Sequence, residues 1–192
     1  MCDKEEPLRS LSHLLQGMSV FLIGMMGTGK TTVGQLLAHR LNYRFFDTDK
    51  LIEGVAGMAI DSIFRTEGET YFRELESKVL EQVCAYTRST IATGGGIVLK
   101  PKNWGYLRHG LIVWLDAPAG VLLERLGEDR SRPLLQEGDL FEKISTLLAE
   151  RRSVYAQADL RIAIANCQQT PGEIVEEIID SLPSVLKEEN RD

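Results

Sequence analysis

The feature that most constrains this chain is a short apolar run, Ser19-Val20-Phe21-Leu22-Ile23, that leads into Gly24-Met25-Met26-Gly27-Thr28-Gly29-Lys30-Thr31. A helical pattern begins where that segment ends. The spacing G-x-x-x-x-G-K-T, with a strand before it and a helix after it, is the Walker A arrangement in its proper context. Phosphates carry several negative charges, and a glycine-rich turn answers them with backbone N–H groups that no Cβ obstructs. The helix opening at Lys30 aims its dipole and its free N–H groups at the same place. Lys30 adds a full positive charge able to bridge β- and γ-phosphates, and the Thr31 hydroxyl is placed to coordinate Mg²⁺. The motif implies nucleoside-triphosphate binding.

The chain has 192 residues, enough for one α/β domain with a substantial core. A net charge of −6 argues against a nucleic-acid surface, which needs a basic patch. It leaves room for a small anionic substrate, because a few arginines can dominate a cleft. Cys2, Cys84 and Cys167 are scattered without CxxC spacing and read as reduced thiols of a cytosol-like compartment. No apolar run is long enough to span a bilayer. The opening residues, Met1 to Pro7, resemble neither a secretory signal nor an Arg- and Ser-rich transit peptide.

In chain order, residues 1–17 read as an N-terminal arm, with a short helix over Leu8–Gln16. Residues 18–182 form a single domain, and 183–192 read as a disordered tail. The spacing predicts a helix from Lys30 to Leu41 with Val33, Leu36, Leu37 and Leu41 on one inward stripe. A second strand, Tyr43–Phe46, ends in Asp47-Thr48-Asp49, and a helix follows from Lys50 until Gly57. Gly68–Tyr86 is long and amphipathic, with Phe72, Leu75, Val79, Leu80 and Val83 inward. Strands Thr90–Thr93, Leu111–Leu115 and Leu160–Ile164 alternate with further helices. Gly127–Asp139 is a connection rich in charge, glycine and proline, long enough to suggest a functional lid. The final helix opens on a capping box, Thr170 to Glu173, with Pro171 at its first position. Strands separated by helices imply right-handed crossovers and one parallel sheet, with ligands beyond its carboxyl ends.

Several residues there could do chemistry. Asp47 and Asp49, two apart on an extended chain, would project to one side, one supporting Mg²⁺ and the other accepting a proton from a substrate hydroxyl. Local sequence equally allows them to cap the next helix. Arg73 and Glu76 share a helical face and, taken alone, read as a surface ion pair. The glycines Gly94-Gly95-Gly96, after a buried strand, leave a bare backbone for a ligand to lie against. Arg132, inside the lid, could stabilise charge on a transferring phosphoryl group, or be solvated loop charge. Arg151 and Tyr155 fall late in the following helix.

Taken together these motifs resemble the shikimate kinases, over roughly residues 18–182. Gly24–Thr32 with Val33-Gly34 matches the family's nucleotide loop, and Asp47-Thr48-Asp49 its D-[ST]-D motif. Phe72-Arg73 with Glu76 matches FRxxE, Thr93–Gly96 matches TGGG, Arg132–Leu135 matches RPLL, and Arg151 with Tyr155 matches RxxxY. The stretches Asn103–Tyr106 and Val113–Asp116 look most like plant and cyanobacterial members.

The resemblance implies an α/β P-loop kinase fold, a five-stranded parallel sheet ordered 2-3-1-4-5 between helices. A substrate-binding region would cover about 48–75, with a mobile lid over about 127–139. It implies ATP-dependent phosphorylation of the shikimate 3-hydroxyl, with Lys30, Asp49 and Arg132 catalytic. Gly27, Thr28, Gly29, Lys30, Thr31, Thr32 and Arg132 would contact ATP, with Arg125, Gln169 and Pro171 around the adenine side. Asp49, Arg73, Gly95, Gly96 and Arg151 would hold shikimate, the two arginines on its carboxylate. Glu76 would orient Arg73, and Thr31 and Asp47 would serve Mg²⁺. A cytoplasmic monomer is expected, or a plastid-stroma enzyme if a transit peptide has been removed. The alternatives are a related kinase acting on gluconate or a nucleoside monophosphate, and a non-catalytic P-loop protein that binds partners.

Overall fold

A computed structural model of the protein describes residues 15–126 and 139–189. The arm over 1–14, with most of the helix expected at Leu8–Gln16, lies outside the described residues, as do the last three residues of the chain. Leu15 to Gly17 form a turn.

Strand β1 (Val20–Ile23) enters the phosphate-loop segment and helix α1 (Lys30–Leu41) follows it. Then come β2 (Arg44–Asp47), α2 (Thr48–Ala56), α3 (Ile60–Thr66) and α4 (Gly68–Val83). Next are β3 (Ser89–Ala92), a 3₁₀ turn (Ile97–Leu99), α5 (Pro101–Leu107), β4 (Leu111–Asp116) and α6 (Ala119–Leu126). Helix α7 (Leu140–Tyr155), β5 (Leu160–Ala163) and α8 (Pro171–Glu189) complete the described chain.

The strands form one five-stranded sheet in the order β2-β3-β1-β4-β5, with parallel pairing throughout. Register places Ile23 beside Trp114 and Asp47 beside Ala92, so the carboxyl ends of β1, β2, β3 and β4 open on one edge.

Alternation along the strands divides the core between the two faces of the sheet. Val20, Leu22, Leu111, Val113 and Leu115 pack with Val33, Leu37, Ile174 and Ile178 under α1 and α8. Phe21, Ile23, Ile112 and Trp114 pack with Leu80, Val83, Trp104 and Tyr155 on the other face. Ile52, Ile63, Phe72 and Val79 make a smaller cluster beneath α2, α3 and α4.

Two expectations are corrected here. Leu36 is 42% exposed, while Val33, Gly34, Leu37, Ala38 and Leu41 are buried. At about 100° per residue those five share one arc of the helix, and position 36 falls to the side of it. Of the tail expected to be disordered over 183–192, the described part, 183–189, is instead helical, for α8 runs through Pro183 to Glu189. Proline removes one ladder hydrogen bond, but Ile179, Leu182 and Leu186 continue the buried stripe across it and hold the helix to the core. Leu182→Ala should therefore lower stability by about 2–5 kcal/mol in a denaturant titration. A loss below about 0.5 kcal/mol, as for a surface site, would show that this turn is not part of the core.

Among the described residues, no helix is long and apolar enough to cross a membrane.

Candidate active site

The loop between β1 and α1 owes its shape to its glycines. Gly29, directly before α1, sits at φ 90, in the left-handed region that a side chain disfavours. Lys30 is buried, and its Nζ donates to the carbonyls of Gly24 and Met25, each at 2.9 Å. Thr31 Oγ1 donates to Asp47 Oδ2 at 2.7 Å, tying the loop to the end of β2.

Of the two roles left open by local sequence, the structure shows Asp47 in the capping one. Its Oδ1 accepts from the backbone N–H of Asp49 at 3.0 Å and of Lys50 at 3.3 Å, a helix N-cap. Its other oxygen faces Thr31. The expectation that Asp47 and Asp49 align on an extended strand is corrected, because α2 begins at Thr48 and Asp49 stands in its first turn. They share the site because a cap and the first helical turn are neighbours, not because of strand alternation.

Arg73 and Glu76 are not a surface pair. Arg73 is 8% exposed and Glu76 fully buried, joined by Arg73 Nη1 donating to Glu76 Oε2 at 2.9 Å. Arg73 Nε and Nη2 also donate to Glu69 Oε1, at 3.3 and 3.1 Å. Burial works against the Arg73 charge, but Glu76 and Glu69 outweigh it and hold the guanidinium above its ordinary value. Burial pushes the Glu76 carboxyl up, with the Arg73 charge pulling the other way. Such a pair contributes little net stability, since desolvation offsets the attraction.

The three glycines after β3 explain how this burial is possible. A Cβ at Gly94 would lie 2.7 Å from Glu76 Oε1 and 2.8 Å from Asp49 Oδ1, and one at Gly96 would collide with the Arg73 guanidinium. The bare backbone thus makes room first for the protein's own charged side chains. From the other side Arg151, 5% exposed, reaches the Gly95 carbonyl with Nη1 at 3.4 Å.

Two cavities meet here. The larger, about 310 Å³, is lined by Gly27, Gly29, Lys30, Thr31, Asp47 and Arg125 among others. The smaller, about 70 Å³, is lined by Phe64, Phe72, Arg73, Glu76, Gly96 and Arg151 among others. Met26, Asp49 and Gly95 line both. One compartment presents a phosphate loop with its lysine, the other two arginines on an apolar floor, and Asp49 stands at their junction.

The remaining candidates are distributed unevenly. Thr32 lines the larger cavity; Thr28 is buried and turns its hydroxyl to the Met25 carbonyl at 2.8 Å. Arg125 Nη1 faces the carbonyls of Gly27 and Thr28 at 3.5 and 3.3 Å, bracing the loop from α6. Gln169 is committed to its own turn, accepting from Ala165 N–H at 3.1 Å and donating to Glu177 at 3.3 Å. Pro171 opens α8, and neither residue lines either cavity. Arg132 and the rest of the lid over 127–138 lie outside the described residues. Asp139 is the N-cap of α7, accepting from the N–H groups of Phe141 and Glu142.

The sequence alone assigns no site role to Asn103 or Trp104. Asn103 Nδ2 donates to the Ile97 carbonyl at 2.7 Å and Trp104 Nε1 to the Val98 carbonyl at 3.0 Å. Both clamp the 3₁₀ turn that follows the glycines. The only signal was an amide and an indole placed six residues beyond the carbonyls they serve.

A parallel sheet with β1 feeding a Walker A loop, and an arginine-lined pocket joined to that loop at one aspartate, define a P-loop kinase for a small anionic acceptor. The family model described as shikimate kinase matches residues 26–183. The chain belongs to the shikimate kinase family. It is 58% identical to the shikimate kinase of Microcystis aeruginosa over 174 residues, 91% of each chain. Among solved structures it resembles shikimate kinase from Acinetobacter baumannii in complex with shikimate, at TM-score 0.84 and 33% identity, covering 91% of this chain and 97% of that one. Shikimate kinase from Aquifex aeolicus aligns at TM-score 0.75 and 37% identity, covering 87% and 97%.

Proposed function

We propose that the chain transfers the γ-phosphoryl group of ATP to the 3-hydroxyl of shikimate, giving shikimate 3-phosphate and ADP. The observation that carries this reading is the position of Asp49, which lines both the phosphate-loop cavity and the arginine-lined pocket. In this mechanism ATP lies with its phosphates along Gly27–Thr32, and shikimate presents its carboxylate to Arg73 and Arg151. Asp49 takes the proton of the 3-hydroxyl as its oxygen forms the new bond to the γ-phosphorus, and the bond to the β,γ-bridging oxygen breaks to release ADP. Lys30 follows the negative charge that grows on the phosphate oxygens. Arg132 is assigned the same task from the lid by its RPLL motif.

Thr31 and Asp47 are hard oxygen donors beside the loop, the donor set Mg²⁺ takes together with phosphates and water. They fit a Mg²⁺ ion, which when bound would neutralise phosphate charge. We further read the enzyme as a monomer, because one chain supplies both cavities. A cytoplasmic setting is consistent with the free thiols of Cys84 and Cys167.

Arg73 gives a direct test of the acceptor assignment. Arg73→Lys keeps the charge and loses the planar fork, the contact with Glu69 through two nitrogens, and the fit above Gly96. Shikimate affinity by titration calorimetry should fall by roughly tenfold or more, as for a lost charged hydrogen bond. ATP affinity should stay unchanged. Wild-type shikimate affinity in Arg73→Lys would remove Arg73 from the acceptor site.

A further inference from the structure

Tyr155 is the last residue of α7 and lies one helical turn beyond Arg151 on the same face. Its ring is fully buried and stacked on Trp114, with centroids 5.8 Å apart and planes 21° from parallel. Its hydroxyl donates to the Gly95 carbonyl at 2.5 Å. The same carbonyl is within reach of Arg151 Nη1, but at 3.4 Å, near the outer limit of a hydrogen bond.

We propose that Tyr155 is a positioning residue, whose hydroxyl satisfies the Gly95 carbonyl so that the Arg151 guanidinium is left to face the substrate carboxylate. The proposal rests on the reading that Arg151 holds that carboxylate. The Gly95 carbonyl is part-buried where the two cavities meet, and the short bond from the phenol is its good partner there. Among the described residues, Tyr155 and Arg151 are the side chains that donate to Gly95. Take away the phenol and Arg151 is drawn toward the protein, at the expense of its ligand. The carbonyl cannot readily turn elsewhere, because Asn103 and Trp104 pin the following turn from behind. Burial pushes the Tyr155 phenol up to about 12, against the opposing influence of Arg151, so it stays a donor at any working pH. The stack on Trp114 fixes the ring, and with it the reach of the hydroxyl.

Tyr155→Phe keeps the ring and its stack and removes only the donor. Steady-state kinetics of the full chain should show shikimate KM raised roughly three- to tenfold, the worth of one hydrogen bond. The kcat should stay within about twofold and ATP KM unchanged, a split that general loosening would not produce. In an Arg151→Ala background the same substitution should add nothing to shikimate KM, because the group it acts through is gone. Unchanged shikimate KM in Tyr155→Phe, an equal rise in both KM values, additivity with Arg151→Ala, or loss of the fold by circular dichroism would each overturn the proposal. Arg151→Ala with wild-type shikimate KM would instead remove the carboxylate assignment beneath it.

Discussion

Lys30→Ala is expected to lower kcat by roughly 10²–10³-fold or more, the scale on which removing one preorganised charge-stabilising donor acts. The side chain lies within the loop, its ammonium 2.9 Å from the Gly24 and Met25 carbonyls. Those contacts hold the charge beside the loop where, on the proposed reading, phosphates would lie along the backbone N–H groups. The fold should survive, because the sheet core beneath the loop is apolar and does not depend on that charge. Lys30→Met, which keeps most of the stem, should lose activity equally and so separate charge from packing. Circular dichroism checks the fold and a coupled ADP assay the rate. Folded variants with kcat within tenfold of wild type would show that the loop works without its lysine.

Asp49→Asn should have an effect of the same order for a different reason. The amide is nearly isosteric, keeps its place in the first turn of α2, and cannot accept a proton. If Asp49 takes the hydroxyl proton, kcat should fall by roughly 10²–10⁴-fold. Shikimate affinity measured without nucleotide should change little, since an amide still forms a hydrogen bond with a hydroxyl. A kcat close to wild type would mean that the proton leaves by another route. A large loss of affinity with kcat preserved would make Asp49 a binding group only.

Much of this arrangement is legible before any coordinates. The apolar run at Ser19–Ile23 and the glycine spacing after it define β1, the loop and α1, since few other structures satisfy both patterns. The D-x-D pair at 47 and 49 is legible as a pair, but its geometry is not. Whether a strand ends one residue earlier or later depends on its neighbour, and here register with β3 carries β2 to Asp47 and starts the helix at once.

Spacing puts Arg73 and Glu76 on one face of α4, yet cannot say that this face is buried. Burial of two charges is decided by tertiary contact with Gly94 and Gly96, far along the chain. Pro183 misled for the opposite reason. A local breaker was outvoted by core contacts at Leu182 and Leu186 that only the packed structure reveals. Asn103, Trp104 and the hydroxyl of Tyr155 act by reaching backbone carbonyls, and no periodicity marks such bonds.

An ADP-release assay over a small panel of acceptors tests most directly whether this site phosphorylates shikimate. With ATP and Mg²⁺ present, shikimate should raise ADP release by orders of magnitude, while gluconate and nucleoside monophosphates leave it at the level without acceptor. The product should be a monophosphate ester at the 3-position by phosphorus NMR. Acceptor-independent release, or a gluconate or nucleotide response exceeding that of shikimate, would contradict the account.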